Sequence, residues 1–131
     1  MNKLFTLVLL AFSAFACNKT KETSIHKIMI HSVNLYIDTS SDVSCQDFNL
    51  TFGNHVKDKS IEDKAILTEF ENLLKETQKI KKNKSVDVRR KIVIYYKDKT
   101  VDALCAGRFN ILINNQLLEE NTDLLNFVHD L

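Results

Sequence analysis

The sequence has no proline, no tryptophan and only two glycines, Gly53 and Gly107, in 131 residues. Without proline-rich or glycine/serine-rich runs, nothing marks a long flexible linker between domains. Two glycines leave no room for a phosphate-cradling loop, a dinucleotide fingerprint or a Gly-x-Ser-x-Gly nucleophile turn, and none is found. Charge of one sign is also missing. The 18 basic side chains nearly match the 17 acidic ones, and with Lys3 removed the two balance. Bulk attraction to nucleic acid is therefore excluded. No internal repeat occurs, and the length suits one compact domain.

What is present begins at the N-terminus. Met1-Asn2-Lys3 carries one positive side chain, and Leu4 to Phe15 is a nearly unbroken apolar run. As a helix that run spans roughly 18 Å, too short for a bilayer core of about 30 Å. The pattern is that of a cleavable secretory signal. Two processing chemistries fit Ala14-Phe15-Ala16-Cys17. Ala14-x-Ala16 meets the small-residue rule of ordinary signal peptidase, with cleavage after Ala16. The same residues resemble the lipobox of bacterial lipoproteins, in which the Cys17 thiol is alkylated by a diacylglycerol and becomes the new N-terminus; there a leucine usually stands where Ala14 does. The short signal, the cysteine at the junction and the hydrophilic stretch from Asn18 to Thr23 favour the lipoprotein. The expected organisation is a signal over 1–16, a lipid-anchored tether over 17–23 and a single domain over 24–131. Several acyl chains would anchor the protein firmly, since one alone is marginal.

The cysteine count supports this reading. The three cysteines are Cys17, Cys45 and Cys105. An odd number in a secreted protein needs an explanation for the leftover thiol. With Cys17 lipidated, Cys45 and Cys105 remain, and an oxidising compartment allows them to pair. Such a bridge closes a loop of about 60 residues, worth roughly 4 kcal/mol in the chain-entropy model.

Hydrophobic periodicity gives the fold class. Ser24 to Asp38 reads as a strand whose apolar face switches near Met29 to His31, which suggests a bulge or a stretch buried on both sides. Thr39 to Asp42 is a turn cluster. Val43 to Phe52, with Phe48, Leu50 and Phe52 at period two, reads as a second strand in a hairpin with the first, closed by Gly53-Asn54. Ser60 to about Ile80 reads as the main helix, opened by Ser60 and Asp63 in a capping-box-like pair and striped by Leu67, Phe70, Leu73, Leu74 and Thr77. Further strands follow at Val88 to Lys97, Val101 to Cys105, Phe109 to Ile113 and Gln116 to Glu119. Turns fall at Lys97 to Thr100, at Ala106 to Arg108 and at Asn114-Asn115, the last suited to positive φ. Asn121 or Thr122 caps a final helix whose apolar side holds Leu124, Leu125, Phe127 and Val128. The expectation is an α+β domain of order ββ-α-ββββ-α: an antiparallel sheet of five to six strands with a long helix packed on one face.

The stretch "RRKIVIYYKDKTVDALCAGRFNILINNQLLEENTDLLNFV" resembles the C-terminal half of small uncharacterised lipoproteins of Bacteroidota. In these a charged-then-apolar strand, a turn, an apolar hairpin and a final Leu-Leu-x-Phe helix recur. With the lipobox-like start, the likeness covers about half the chain. It implies an envelope lipoprotein and carries no activity with it.

His26 and His31 lie five apart on a strand and point to opposite faces, His55 falls in a loop and His129 in the last helix. No pair has metal-ligand spacing, so neither metal nor any other cofactor is expected. As a nucleophile, Cys45 or Cys105 would need a nearby base; neither sits in such a motif. Glu119-Glu120 reads as an exposed turn. Tyr95-Tyr96 places one ring on each sheet face. The one charge asymmetry is a basic run from Lys75 to Lys91, with Lys79, Lys81, Lys82, Lys84, Arg89 and Arg90 as the candidate contact patch for anionic lipid or an acidic partner. Its bland counterpart is a solvated helix end with lysines favourable against the dipole.

The expected function is that of a lipid-anchored envelope protein, outer membrane in preference to inner, with a soluble secreted or periplasmic form as the alternative. Its role would be non-catalytic binding or structure, through a sheet face or the basic loop and towards another envelope protein. The runner-up is a small inhibitor or immunity-type factor presenting loops to a partner's cleft. An enzyme, such as a small hydrolase, would require a cleft joining Cys105 or His55 to an acid.

Overall fold

The computed structural model describes residues 23–131. The apolar run, Ala16, Cys17 and the tether up to residue 22 lie outside the described residues. In chain order the elements are β1 (Ile25–Ser32), α1 (Phe48–Phe52), a 3-10 turn (Gly53–His55), β2 (Lys57–Ile61), α2 (Lys64–Glu76), β3 (Arg90–Tyr96), β4 (Val101–Ala106), β5 (Ile111–Ile113), β6 (Gln116–Leu117) and α3 (Thr122–Asp130). The strands form one six-stranded sheet in the order β2-β1-β3-β4-β5-β6, antiparallel throughout. The fold is α+β.

The expected order ββ-α-ββββ-α holds once α1 and the 3-10 turn are set aside, but its second strand is a different segment. Val43 to Phe52 is not a strand. Phe48 and Phe52 are buried at helical i, i+4 spacing, while Leu50 between them is 87% exposed. A period-two reading needs all three on one face, whereas a helix needs only the outer two. The strand beside β1 is instead β2, paired from Ile28↔Ile61 to Ser32↔Lys57. Four of its five residues, Lys57 to Ser60, are exposed and only Ile61 is buried, so no apolar alternation marks it. Its charges suit a sheet edge that must not recruit another strand.

The main helix is correspondingly shorter, 13 residues from Lys64 to Glu76. Its cap is Asp63, whose side chain accepts from the Ile66 N–H at 3.0 Å, rather than Ser60. It stops at Thr77, whose hydroxyl donates to the Leu73 carbonyl. The chain beyond turns extended: the Ile80 N–H donates to the Leu117 carbonyl at 2.9 Å and Lys79 bridges to Leu118, which covers the short β6 edge.

Strand β1 is also shorter than expected. It leaves the sheet at Ser32, and a register shift between Ile25 and Lys27 brings Ile25, Ile28 and Ile30 all inward. The bulge therefore sits at the start of the strand and not near Met29 to His31. Likewise β5 begins at Ile111, so Phe109 is outside it, and β6 ends at Leu117. The turns fall as read: Lys99, Asn114 and Asn115 all have positive φ. Asn121 caps α3, its side chain accepting from the Leu124 N–H at 3.0 Å.

Each sheet face has its own core. On one, Ile28, Ile30, Ile92, Ile94 and Leu104 share a cluster with Leu67 and Phe70 of α2 and Leu124 and Val128 of α3. Phe70 stacks on Phe127 with ring centroids 5.9 Å apart. On the other, Cys105 and Leu117 share a smaller cluster with Val33, Val43, Phe48, Phe52, Val86 and Val88. Phe48 and Phe52 come from α1 and the others from irregular chain, which together fold back over the β4–β6 half of the sheet.

Candidate interaction surface

The chain joins the domain at one end of the sheet. Thr23 is 3% exposed, so it belongs to the domain and not to a solvated tether, and its hydroxyl accepts from the Ile25 N–H at 3.1 Å. The Ser24 N–H and hydroxyl both donate to the Glu71 carboxylate, and Lys75 lies 3.4 Å from it. Burial pushes the Glu71 carboxyl up, but the Ser24 and Thr23 hydrogen bonds and the Lys75 charge outweigh this and hold it below its ordinary 4.5. The pairing then fixes direction: Ile25 lies beside Tyr96, and Ser32 beside Arg90 and Ala106. The β4–β5 turn that follows Ala106 therefore sits at the opposite end, roughly 25 Å away along the strands.

At that far end an irregular strap, residues 33–47, is fastened by two devices. Cys45 and Cys105 form a disulfide with Cα atoms 5.8 Å apart and 60 residues between them in sequence, within the span such a bridge requires. Arg89 is the second. It is 2% exposed and donates to Asp87 at 2.5 Å, to the Val88 carbonyl at 3.0 Å, to the Thr39 hydroxyl at 2.9 Å and to the Ile37 carbonyl at 3.3 Å. Its guanidinium also lies 5.4 Å from the Phe52 ring. Asp87 in turn accepts from the Val43 N–H at 2.9 Å. A buried charge is stable only when paired and hydrogen-bonded, and the bonds to Ile37 and Thr39, with that from Val43 to Asp87, tie the strap to the sheet.

Arg89 is thus a fastener and leaves the expected basic patch. Arg90 leaves it too. It is half-buried and donates to the Val128 carbonyl at 2.7 Å, near the C-terminal end of α3 where the helix dipole favours a cation. Burial lowers its pKa, with the Asp130 charge acting the other way. Adjacent residues on a strand face opposite ways, so the two arginines enter different cores and neither can serve the surface. Lys79, Lys81, Lys82 and Lys84 remain exposed, along the extended segment that follows α2.

The tightest local structure is the β4–β5 turn. The Gly107 N–H donates to the Asn110 carbonyl at 3.0 Å, and the His129 ring lies 2.9 Å from the Gly107 carbonyl. A Cβ at Gly107 would fall 2.6 Å from the Asp87 carbonyl oxygen, so only glycine lets the turn lie against that chain. Arg108 donates to the Leu35 carbonyl at 2.8 Å, and its guanidinium stacks 5.2 Å from the Tyr36 ring. The turn holds out Phe109, 78% exposed, and Tyr36 under Arg108 is 76% exposed. Aromatic and arginine side chains in fixed positions are the residues on which protein contacts concentrate their energy.

Three cavities, of about 410, 320 and 340 Å³, are all walled by Lys84 and Ser85, and the first adjoins this ridge. The first reaches Arg108, Phe109 and Asn110. The second is lined by Asp42, Ser44, Gln46 and Asn115, the third by Lys82, Asn83 and Asn115. Ser85 donates to Asp42 at 3.1 Å across the strap.

The remaining candidates do not come together. His26 and His55 are exposed, His129 holds the turn, and His31 pairs with Asp58 at 2.6 Å. Among the described residues no group of three or more His, Cys, Asp or Glu side chains could hold a metal. Cys105 is fully buried and bonded to Cys45, so neither thiol is a nucleophile in this state. The other half of this sheet face, around Met29, Val93 and Tyr95, is half-exposed, with the Lys27 ammonium 5.1 Å from the Tyr95 ring. Among the described residues no helix is long and apolar enough to cross a membrane.

Sequence reading missed Tyr36, Arg108 and Phe109. Phe109 was placed inside a strand because Phe109, Ile111 and Ile113 alternate. The available signal was Gly107-Arg108 before it, a turn pair close enough to hold Phe109 out of the ladder. No protein-family model, curated protein or solved structure matches the chain.

Proposed function

We propose that the chain is a membrane-tethered, non-catalytic binding module of a bacterial cell envelope, held by lipid at Cys17 and contacting its partner with the far end of the sheet. One observation carries this reading: Thr23 is tied down at one end of the strands, while the fixed, exposed Tyr36, Arg108 and Phe109 lie at the other. A tether attached at the first end turns the second away from the surface that holds it. Fastening the turn beforehand lowers the ordering cost of a contact.

The test is fractionation of the full chain and of Cys17→Ala. The wild type is expected in the membrane fraction and the variant in the soluble one. A variant that stays in the membrane contradicts the lipid anchor, and a wild type that is soluble supports the plain secreted form instead. Paired with it, site-specific photocrosslinking in intact cells from position 109 and from Glu69 on the opposite side of the molecule is expected to give an adduct from 109 alone. Equal adducts from both positions contradict the assignment of the far end.

A second reading draws on the same turn. A rigid loop with an exposed aromatic at its tip is what a small inhibitor or immunity-type factor inserts into a partner's cleft. Under that reading the position-109 adduct would be with an envelope enzyme or toxin whose activity the purified chain suppresses.

A further inference from the structure

We propose that the three cavities sharing Lys84 and Ser85 form one binding site for a short acidic oligosaccharide. The inference deepens the binding-module reading and rests on it. The cavities have common walls: Asp42, Lys84 and Ser85 join the first to the second, and Lys84, Ser85 and Asn115 join the second to the third. They follow β5 from the β4–β5 turn at Asn110 to the β5–β6 hairpin at Asn115, roughly 13–16 Å of extended chain. That is a trough for a chain-like ligand and not a pit for a compact one.

The lining decides the chemistry. Ser44, Gln46, Asn83, Ser85, Asn110 and Asn115 are neutral side chains that both donate and accept hydrogen bonds, which matches a ligand made of hydroxyl groups. Val86, Leu112 and Leu117 lie between them as apolar lining, against which the C–H faces of sugar rings can pack. Lys82, Lys84 and Arg108 add positive charge along the trough, as sugar carboxylates require. Asp42 stands in the middle with its carboxylate held by Ser85. It can accept from a sugar hydroxyl. Phe109, 78% exposed at one end, offers a flat apolar face against which the C–H side of a sugar ring can rest.

Binding to the purified mature chain, measured by calorimetry with tetragalacturonate, maltotetraose and tetraglutamate, tests this. Tetragalacturonate is expected to bind at least about tenfold more tightly than either other probe, because only it has both carboxylates and hydroxyls. Lys84→Glu is expected to weaken it by about tenfold or more. Phe109→Ala should weaken it several-fold. Lys57→Glu makes the same charge change on exposed β2 and is expected to leave binding within about twofold, as charges beyond a Debye length are screened. Tetraglutamate binding as tightly as tetragalacturonate overturns the proposal in favour of a plain basic patch. So do maltotetraose binding as tightly, equal losses in Lys84→Glu and Lys57→Glu, or no binding of any probe. The fractionation and crosslinking results are independent of all these outcomes, so either reading can fail alone.

Discussion

On one face of the sheet, two helices bury Leu67, Phe70, Leu124 and Val128 at regular helical spacing against alternating strand residues. On the other, residues 33–47 and 86–88 cover the β4–β6 half with Val33, Val43 and Val88, and regular structure plays almost no part. The first core is held by periodicity, so its apolar groups reach the sheet whenever the elements form. The second has no such periodicity and is held by one covalent bridge and one buried arginine. The exposed ridge and the trough belong to this second region. An exposed surface of fixed shape need not be built from strands, provided irregular chain is pinned at enough points to hold it.

The comparison can be broken at either core, and the effects should differ in kind. Phe70 is fully buried, and Phe70→Ala is expected to cost about 3–5 kcal/mol, seen as a fall in the urea midpoint of the whole domain. Replacing Cys45 and Cys105 together by alanine should cost roughly 2–4 kcal/mol. Here the loss of amide protection should concentrate in the strap and spare Ile92 to Ile94. Arg89→Met removes the polar fastening while keeping bulk, and is expected to cost about 1–3 kcal/mol because its carbonyl and carboxylate partners are left unmatched.

Glu71 sharpens the comparison at the joining end. Its carboxyl titrates below its ordinary value of 4.5 in the folded chain. Its stabilisation is therefore full above that value and is lost as pH falls through the lowered folded one. Glu71→Gln should be less stable than wild type at neutral pH, and the gap should narrow in acid, as followed by thermal melts across that range. The smallest effect is expected from Phe109→Ala, within about 0.5 kcal/mol of wild type, since an exposed tip supports no core. A large destabilisation there would mean that the ridge is part of the fold and not a surface for contact.

The two regions also differ in how far they can be read from the chain. Leu67, Phe70, Leu73 and Leu74 mark α2, and the run of β-formers in "KIVIYY" marks β3. The Asn114-Asn115 turn and the Asn121 cap follow from local preferences alone. The pairing of Cys45 with Cys105 was legible as arithmetic. By contrast β2 has one inward residue, Ile61, and its place in the sheet is decided by pairing with β1, a long-range fact. Phe48, Leu50 and Phe52 fit two periods equally until tertiary contact selects the helical one. Arg89 and Arg90 look like members of a basic run because burial of a cation depends on partners 37 to 39 and 128, far away in sequence. The trough was half legible: Lys82 and Lys84 were singled out, but Ser44, Gln46 and Asn115 meet them only through the strap.

The central claim is that the contact surface rides on the pinned strap while the periodic core beneath stays independent of it. Hydrogen exchange of the intact chain with and without reductant measures this directly. The expected result is faster exchange, on reduction, across 33–47, 86–88 and Arg108 to Asn110, with Ile28 to Ile30 and Ile92 to Ile94 unchanged. Loss of protection spread evenly over both cores, or appearing first in Ile28 to Ile30, would contradict it.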